Sequence, residues 1–301
     1  NREAADGGVS DAGPSGGFEW TQDLEYDDTR ALWAFSPDDV WRAASNGVDR
    51  WNGATWTKVL TTDPYASTSE YPSSLWAFGP NNVWAAGAKI QQWDGQGWTD
   101  RSVTAVASQS IRSLWGAAPD DLWAVVYHSG SALAGKNPWH WNGQSWTEAT
   151  VPASAQGKSQ LIWGASSRDV WAVGFGSSKP SAGLFLHWDG TSWSEVAGDP
   201  AVAMGQLSAM ALWGSGANDV WAIGTGYEGS TKRTVLWRFD GIAWKRVESA
   251  PAVRCVFGTG PADVWFCGEG AQLHHFDGKT FSTIDIGVAS ATLSGGVVVD
   301  E

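Results

Sequence analysis

The sequence predicts an all-β fold built from four-stranded antiparallel units set in a ring. Three observations predict it. First, an aromatic pair separated by eight residues recurs six times: Trp33/Trp41, Trp76/Trp84, Trp115/Trp123, Trp163/Trp171, Trp213/Trp221 and Phe257/Trp265. Second, each is followed by an aromatic pair separated by five residues: Trp51/Trp56, Trp93/Trp98, Trp141/Trp146, Trp188/Trp193, Phe239/Trp244 and Phe276/Phe281. Third, no stretch holds a 3.6-residue apolar period for three turns, so helices are excluded as the main element. A repeat period in the forties with several short strands per unit marks a ring of blades.

The first copy, Leu32 to Val59, shows how a unit divides. Its runs LWAF, VWRAAS, VDRW and TWTKV are rich in Trp and β-branched residues and are bounded by turn formers. Ser36-Pro37-Asp38-Asp39 separates the first two, and Asn52-Gly53 the last two. Asn-Gly and Asp-Gly suit a tight hairpin because both residues tolerate positive φ. Four such strands per unit, called A to D here, make the blade of a β-propeller.

Connection lengths point to the working face. A–B and C–D spacings are constant. Between the second and third aromatics, B–C spacing runs 10, 9, 18, 17, 18 and 11, and D–A spacing runs 20, 17, 17, 20 and 13. In an up-and-down blade the B–C and D–A loops emerge together, so all variation falls on one face. Insertions collect where binding occurs, on a rigid scaffold.

The ends of the chain predict a seventh blade. Residues 1–17 are mostly Gly, Ala, Ser and Asp and read as a flexible tether. Residues 18–301 read as one propeller domain. Gly17-Phe18-Glu19-Trp20 matches a C–D turn and D strand, while Leu293 and Val297–Val299 fall near A and B positions. Together these would close a seventh blade from N- and C-terminal strands, with six blades as the alternative. The chain begins at Asn1, so an upstream segment is expected to have been removed, and an upstream lipid anchor fits the tether.

Charge and cysteines bound the function. A net charge of −13 argues against nucleic acid and against an anionic membrane surface. No apolar run approaches the roughly 20 residues of a transmembrane helix. Cys255 and Cys267 flank the Phe257/Trp265 pair by two residues on each side. If Phe257 faces Trp265, Cys255 faces Cys267, at the short end of disulfide geometry. A cross-strand disulfide and an oxidising compartment follow as expectations, against two buried free thiols.

The pattern [Asp/Asn]-[Val/Leu]-Trp-Ala-x-Gly … Trp-[Asp/Asn]-Gly-x-x-Trp resembles the blade repeats of photosystem assembly factors and of BNR/sialidase-like propellers. It is more similar still to Trp-rich secreted repeat proteins of bacteria. The resemblance covers residues 18 to about 285. It implies a propeller that is secreted or surface-bound. The sialidase Asp-box is matched only in part, by Asp189-Gly190-Thr191-Ser192-Trp193.

Most eye-catching residues read as scaffold. Of 23 tryptophans, 21 occupy repeat positions, Trp20 included, and are expected in inter-blade packing. The off-register pair is Trp139, expected exposed, and Trp237, expected on a strand. Asp39, Asn82, Asp121, Asp169, Asp219 and Asp263 recur two before the second aromatic. A wide ring of single carboxylates cannot converge on one calcium ion, so they read as caps of their own turns. Asp94, Asp189, Asp240 and Asp277 read as turn residues too. His140, His187 and His275 share a slot filled elsewhere by Arg50, Gln92 and Arg238, which is a polar blade position and not a metal site. No motif for metal, cofactor or nucleophilic catalysis is present.

What remains is the variable face. Its candidate binding residues are Tyr127, His128, Lys136, Trp139, Phe175, Tyr227, Lys232 and Arg233 in the B–C segments, with Tyr65 and Tyr71 in D–A loops. Tyr offers large contact area at low entropic cost. The expectation is a non-catalytic binding propeller, without cofactor or metal, that recognises a protein partner. A lectin using the same face is the alternative, and a sialidase-like hydrolase ranks below both.

Overall fold

The structure is a computed structural model that describes residues 29–62, 71–103, 110–127, 137–174, 184–198, 205–228, 231–248, 250–268, 272–285 and 296–298. Among the described residues it is a β-propeller of six four-stranded antiparallel blades. Blade 1 holds β1 (Ala31–Ser36), β2 (Asp39–Ala44), β3 (Gly47–Trp51) and β4 (Trp56–Thr61). Blade 2 holds β5 (Ser74–Gly79), β6 (Asn82–Ala86), β7 (Ile90–Trp93) and β8 (Trp98–Asp100). Blade 3 holds β9 (Ser110–Ala118), β10 (Asp121–Tyr127), β11 (Trp139–Trp141) and β12 (Trp146–Glu148). Blade 4 holds β13 (Ser159–Ser166), β14 (Asp169–Gly174), β15 (Leu184–Trp188) and β16 (Trp193–Val196). Blade 5 holds β17 (Gly205–Gly216), β18 (Asp219–Glu228), β19 (Thr231–Phe239) and β20 (Trp244–Arg246). Blade 6 holds β21 (Val253–Gly260), β22 (Asp263–Gly268), β23 (Gln272–Phe276) and β24 (Phe281–Asp285).

The aromatic spacing is the register. Trp33 faces Trp41, and the equivalent pairs face each other in every blade. The pairs five apart, from Trp51/Trp56 to Phe276/Phe281, are likewise directly opposed. Each C–D turn is built alike. The Asx Oδ1 accepts two backbone N–H groups, as at Asp189 from Thr191 and Ser192, both at 2.8 Å. The following glycine has positive φ, 93° at Gly190, which disfavours any side chain there. Asp94, Asp189, Asp240 and Asp277 all take this role, joined by Asn52 and Asn142.

Blades interlock through the B-strand tryptophan. Trp41 lies 6.0 and 6.3 Å from Trp93 and Trp98 of the next blade, ring centre to ring centre. Trp123 lies 5.3 and 5.2 Å from Trp188 and Trp193. Trp171 meets Phe239 and Trp244, and Trp221 meets Phe276 and Phe281. Five apolar clusters fill the interfaces between successive blades. Each blade thus hides its neighbour's aromatic face, which no single blade could do alone.

The blade number corrects the expectation of seven. Each sheet is made of four consecutive strands from one repeat. Hairpins keep the pairing local, so among the described residues each blade is completed by strands of its own repeat. Gly296–Val298 is described outside any strand. It packs on the far face of blade 6, where Val298 meets the cluster of Cys255, Trp265, Cys267 and Leu273. Residues 1–28, with the expected tether and D strand, and Leu293 lie outside the described residues.

Cys255 faces Cys267 in the β21–β22 register and the two form a disulfide, with Cα atoms 5.1 Å apart. No helix among the described residues is long and apolar enough to cross a membrane.

Candidate functional site

The recurring carboxylates are occupied from within the blade. Asp39 accepts both Arg50 Nε and a second guanidinium N–H, at 2.7 and 2.8 Å, and the Trp41 indole N–H at 3.1 Å. Asn82 accepts from Gln92 and from Trp84. Asp121, Asp169 and Asp263 hold His140, His187 and His275 at 2.7, 2.8 and 2.9 Å. Asp219 holds Arg238 at 2.7 Å. These residues therefore tie strand B to strand C, and are not chiefly caps of their own turns. The partner side chain lies over the B-strand indole, as His187 does on Trp171 at 4.4 Å.

Electrostatics follow the bonds. Asp39 holds the Arg50 guanidinium above its ordinary value, mainly through their hydrogen bond. Burial pushes Asp263 up, yet its bonds from Thr259, Trp265 and His275 outweigh that and hold it below the usual carboxylate range. Backbone N–H groups hold the turn carboxylates Asp94, Asp189 and Asp277 low. Lys245 and the turn N–H groups do so at Asp240. Burial alone pushes His274 down.

Most of the long B–C and D–A connections, including 63–70, 128–136 and 175–183, lie outside the described residues. Two of the predicted contact residues are corrected by burial. Trp139 is only 6 % exposed and sits in the core between blades 2 and 3, because its alternate strand position points at the neighbouring blade and not along the loop. Tyr71 is 7 % exposed, with the Arg30 guanidinium 5.1 Å over its ring. Trp237 is on β19, as expected, and buried. Arg233, on β19, is exposed. Tyr127 ends β10, while Tyr227 pairs with Lys232 across the β18–β19 hairpin. Tyr65, His128, Lys136 and Phe175 lie outside the described residues.

Two features of this face escape a reading by aromatics. Arg30, Arg112 and Arg254 stand three residues before the inner-strand aromatic in blades 1, 3 and 6. Arg112 donates to the Ala209 carbonyl of blade 5 at 3.1 Å, while the Ala209 N–H donates to Gln160 at 2.7 Å. These bonds tie the inner strands of non-adjacent and adjacent blades. The other feature is a cavity of about 250 Å³ between blades 1 and 2, beside the Gly87–Lys89 turn. A far smaller apolar cavity, about 20 Å³, lies between blades 4 and 5.

No protein-family model matches the chain. No curated protein matches it either. Solved structures do. The extracellular domain of a hybrid two-component system of B. thetaiotaomicron superposes with TM-score 0.63 at 11 % identity, over 90 % of this chain and 35 % of that one. The chain thus spans about a third of that protein. YCF48 bound to D1 peptide gives 0.57 at 14 % identity, over 85 % of this chain and 83 % of that one. YCF48 from Cyanidioschyzon merolae gives 0.55 at 15 % identity, over 87 % and 86 %. At such identities the likeness is one of fold, and the fold it shares with them is the β-propeller.

Proposed function

We propose that this propeller is a non-catalytic binding module that recognises a protein partner through its B–C and D–A loop face. The observation that carries the reading is the asymmetry of the two ends. At one end every C–D turn is the same Asx-Gly structure and every A–B turn has the same length. At the other, connection lengths differ from blade to blade and the larger cavity opens. A scaffold held constant with variation confined to one face is how loop-borne recognition is built. The recurring Asp, His and Arg residues are engaged within the blades, which favours a structural role for them. The disulfide suits an oxidising compartment, so a secreted or surface location belongs to the same proposal.

The test is capture of a partner from the native surface fraction, run beside a glycan array. The wild type and a Tyr127→Ala/Tyr227→Ala/Arg233→Ala variant are compared. A discrete protein captured by the wild type and lost in the variant is expected, with a blank array. A specific glycan hit that the variant loses would overturn protein recognition in favour of a lectin.

A further inference from the structure

We infer that the cavity between blades 1 and 2 is a binding site for a small carboxylate-bearing group presented by the partner. The inference rests on the proposed binding face and names one contact on it. The cavity is lined by Leu60, Thr61 and Thr62 where β4 ends, by Pro72 before β5, and by Lys89 and Gln91 around the β6–β7 turn.

The repeat explains why there is room. Gln91 faces Ala85 across β6–β7. The same slot holds Asp49, Trp139, Leu186, Trp237 and His274 in the other blades. All five are buried there, Asp49 in a 3.1 Å ion pair with Arg42. Blade 2 alone puts a half-buried, uncharged amide in the slot. Its B strand also ends in the small run Ala85-Ala86-Gly87-Ala88. Gly87 cannot be enlarged, because a Cβ would lie 2.1 Å from the Tyr71 carbonyl oxygen. A departure from the rule that five blades obey is where function is expected to override packing.

The lining sets the chemistry. The Gln91 amide has no hydrogen-bond partner among the described residues. Lys89 is 65 % exposed, and among the described residues its ammonium pairs with Asp100 alone, at 3.5 Å and at the rim. Thr61 adds a hydroxyl, while that of Thr62 donates to the Ser45 carbonyl at 3.5 Å. Among the described residues no Asp or Glu lines the cavity, in a chain of net charge −13. A carboxylate would accept from the Gln91 amide and the Lys89 ammonium, drawing Lys89 from Asp100, and its short aliphatic stem would rest on Leu60 and Pro72. At about 250 Å³ the cavity falls below the roughly 300 Å³ lower bound of drug-sized pockets, so it suits one side chain or one ring.

The test uses N-acetylglutamate, N-acetylglutamine and glucuronate as probes, the α-carboxyl of the first two blocked as the methylamide so that the glutamine probe carries no carboxylate, titrated by amide NMR on the whole chain. The readouts are the Gly87, Lys89 and Gln91 signals. N-acetylglutamate should move them saturably, and N-acetylglutamine about tenfold more weakly. Lys89→Gln should erase that preference, and Gln91→Leu should weaken N-acetylglutamate about tenfold without changing the melting temperature. A response to glucuronate equal to or above that to N-acetylglutamate assigns the carboxylate to an acidic sugar and overturns a peptide source. No saturable shift, or equal binding of acid and amide, overturns the carboxylate site. If Lys89→Gln and Gln91→Leu leave partner capture intact while the loop variant loses it, this site fails and the binding face stands. If neither set affects capture, the binding face fails.

Discussion

At the scale of single residues, small size and burial set the strongest constraints. Gly174 ends β14 where the incoming chain passes, and a Cβ there would lie 1.8 Å from the Lys158 carbonyl oxygen. Backbone cannot yield as a side-chain tip can. Gly174→Ala should therefore cost about 3 kcal/mol or more, read by urea unfolding. His274 makes a pH prediction with a definite sign. Burial lowers its pKa, so the unfolded chain binds the proton more readily than the fold. Its neutral form is matched to the fold above the ordinary histidine value of about 6.5, and stability is lost as pH falls below that. The melting temperature should drop from about pH 7 to pH 5, and His274→Gln should flatten that slope. An unchanged slope in the variant would reject the assignment.

At the scale of the strand pair, the B–C tie decides how blades hold together. Asp219 is nearly buried and accepts Arg238 at 2.7 Å and the Ser215 hydroxyl at 2.7 Å. Asp219→Ala leaves Arg238 without that acceptor and should cost about 2 kcal/mol. Asp219→Asn should recover most of it, because Asn82 fills the same place in blade 2 and accepts from both Trp84 and Gln92. Chemical unfolding of the two variants in parallel measures the difference. Equal loss in both would mean that charge, and not the acceptor, is what the site needs. These ties were half legible. The recurrence of Asp and of the Arg/Gln/His slot is plain in the chain, but their meeting depends on the β2–β3 type of register, which pairs Trp41 with Arg50 and brings the slot back over the B-strand start.

At the scale of the whole molecule, stability is shared between neighbours. Trp171 is buried between its own blade and the aromatic pair of blade 5. Trp171→Ala should cost about 3–5 kcal/mol, and the loss should spread to blade 5 in hydrogen exchange, since a repeat's interface supports both sides. The disulfide staples blade 6, whose far face carries only the Gly296–Val298 segment among the described residues. Reduction should cost about 2–3 kcal/mol, the order expected for closing a short loop. Urea unfolding with and without dithiothreitol checks it. An unchanged midpoint would make the bond incidental to stability.

The amino-acid sequence by itself determined the propeller, the four strands of each blade, the facing of Cys255 and Cys267 and the packing role of the repeated tryptophans. It could do so because hairpins are local: spacings of eight and five residues translate directly into cross-strand partners. The blade number, the burial of Trp139 and Tyr71, and the cavity beside Gln91 were decided by tertiary structure. Each depends on which residues of one blade meet the next, across connections whose length carries no register. An alternate position near a loop looks exposed in the chain, yet Trp139 faces blade 2 across the interface that its blade shares with it. Gln91 was hidden too, because its difference appears only when its slot is compared with the five buried side chains that fill it in the other blades.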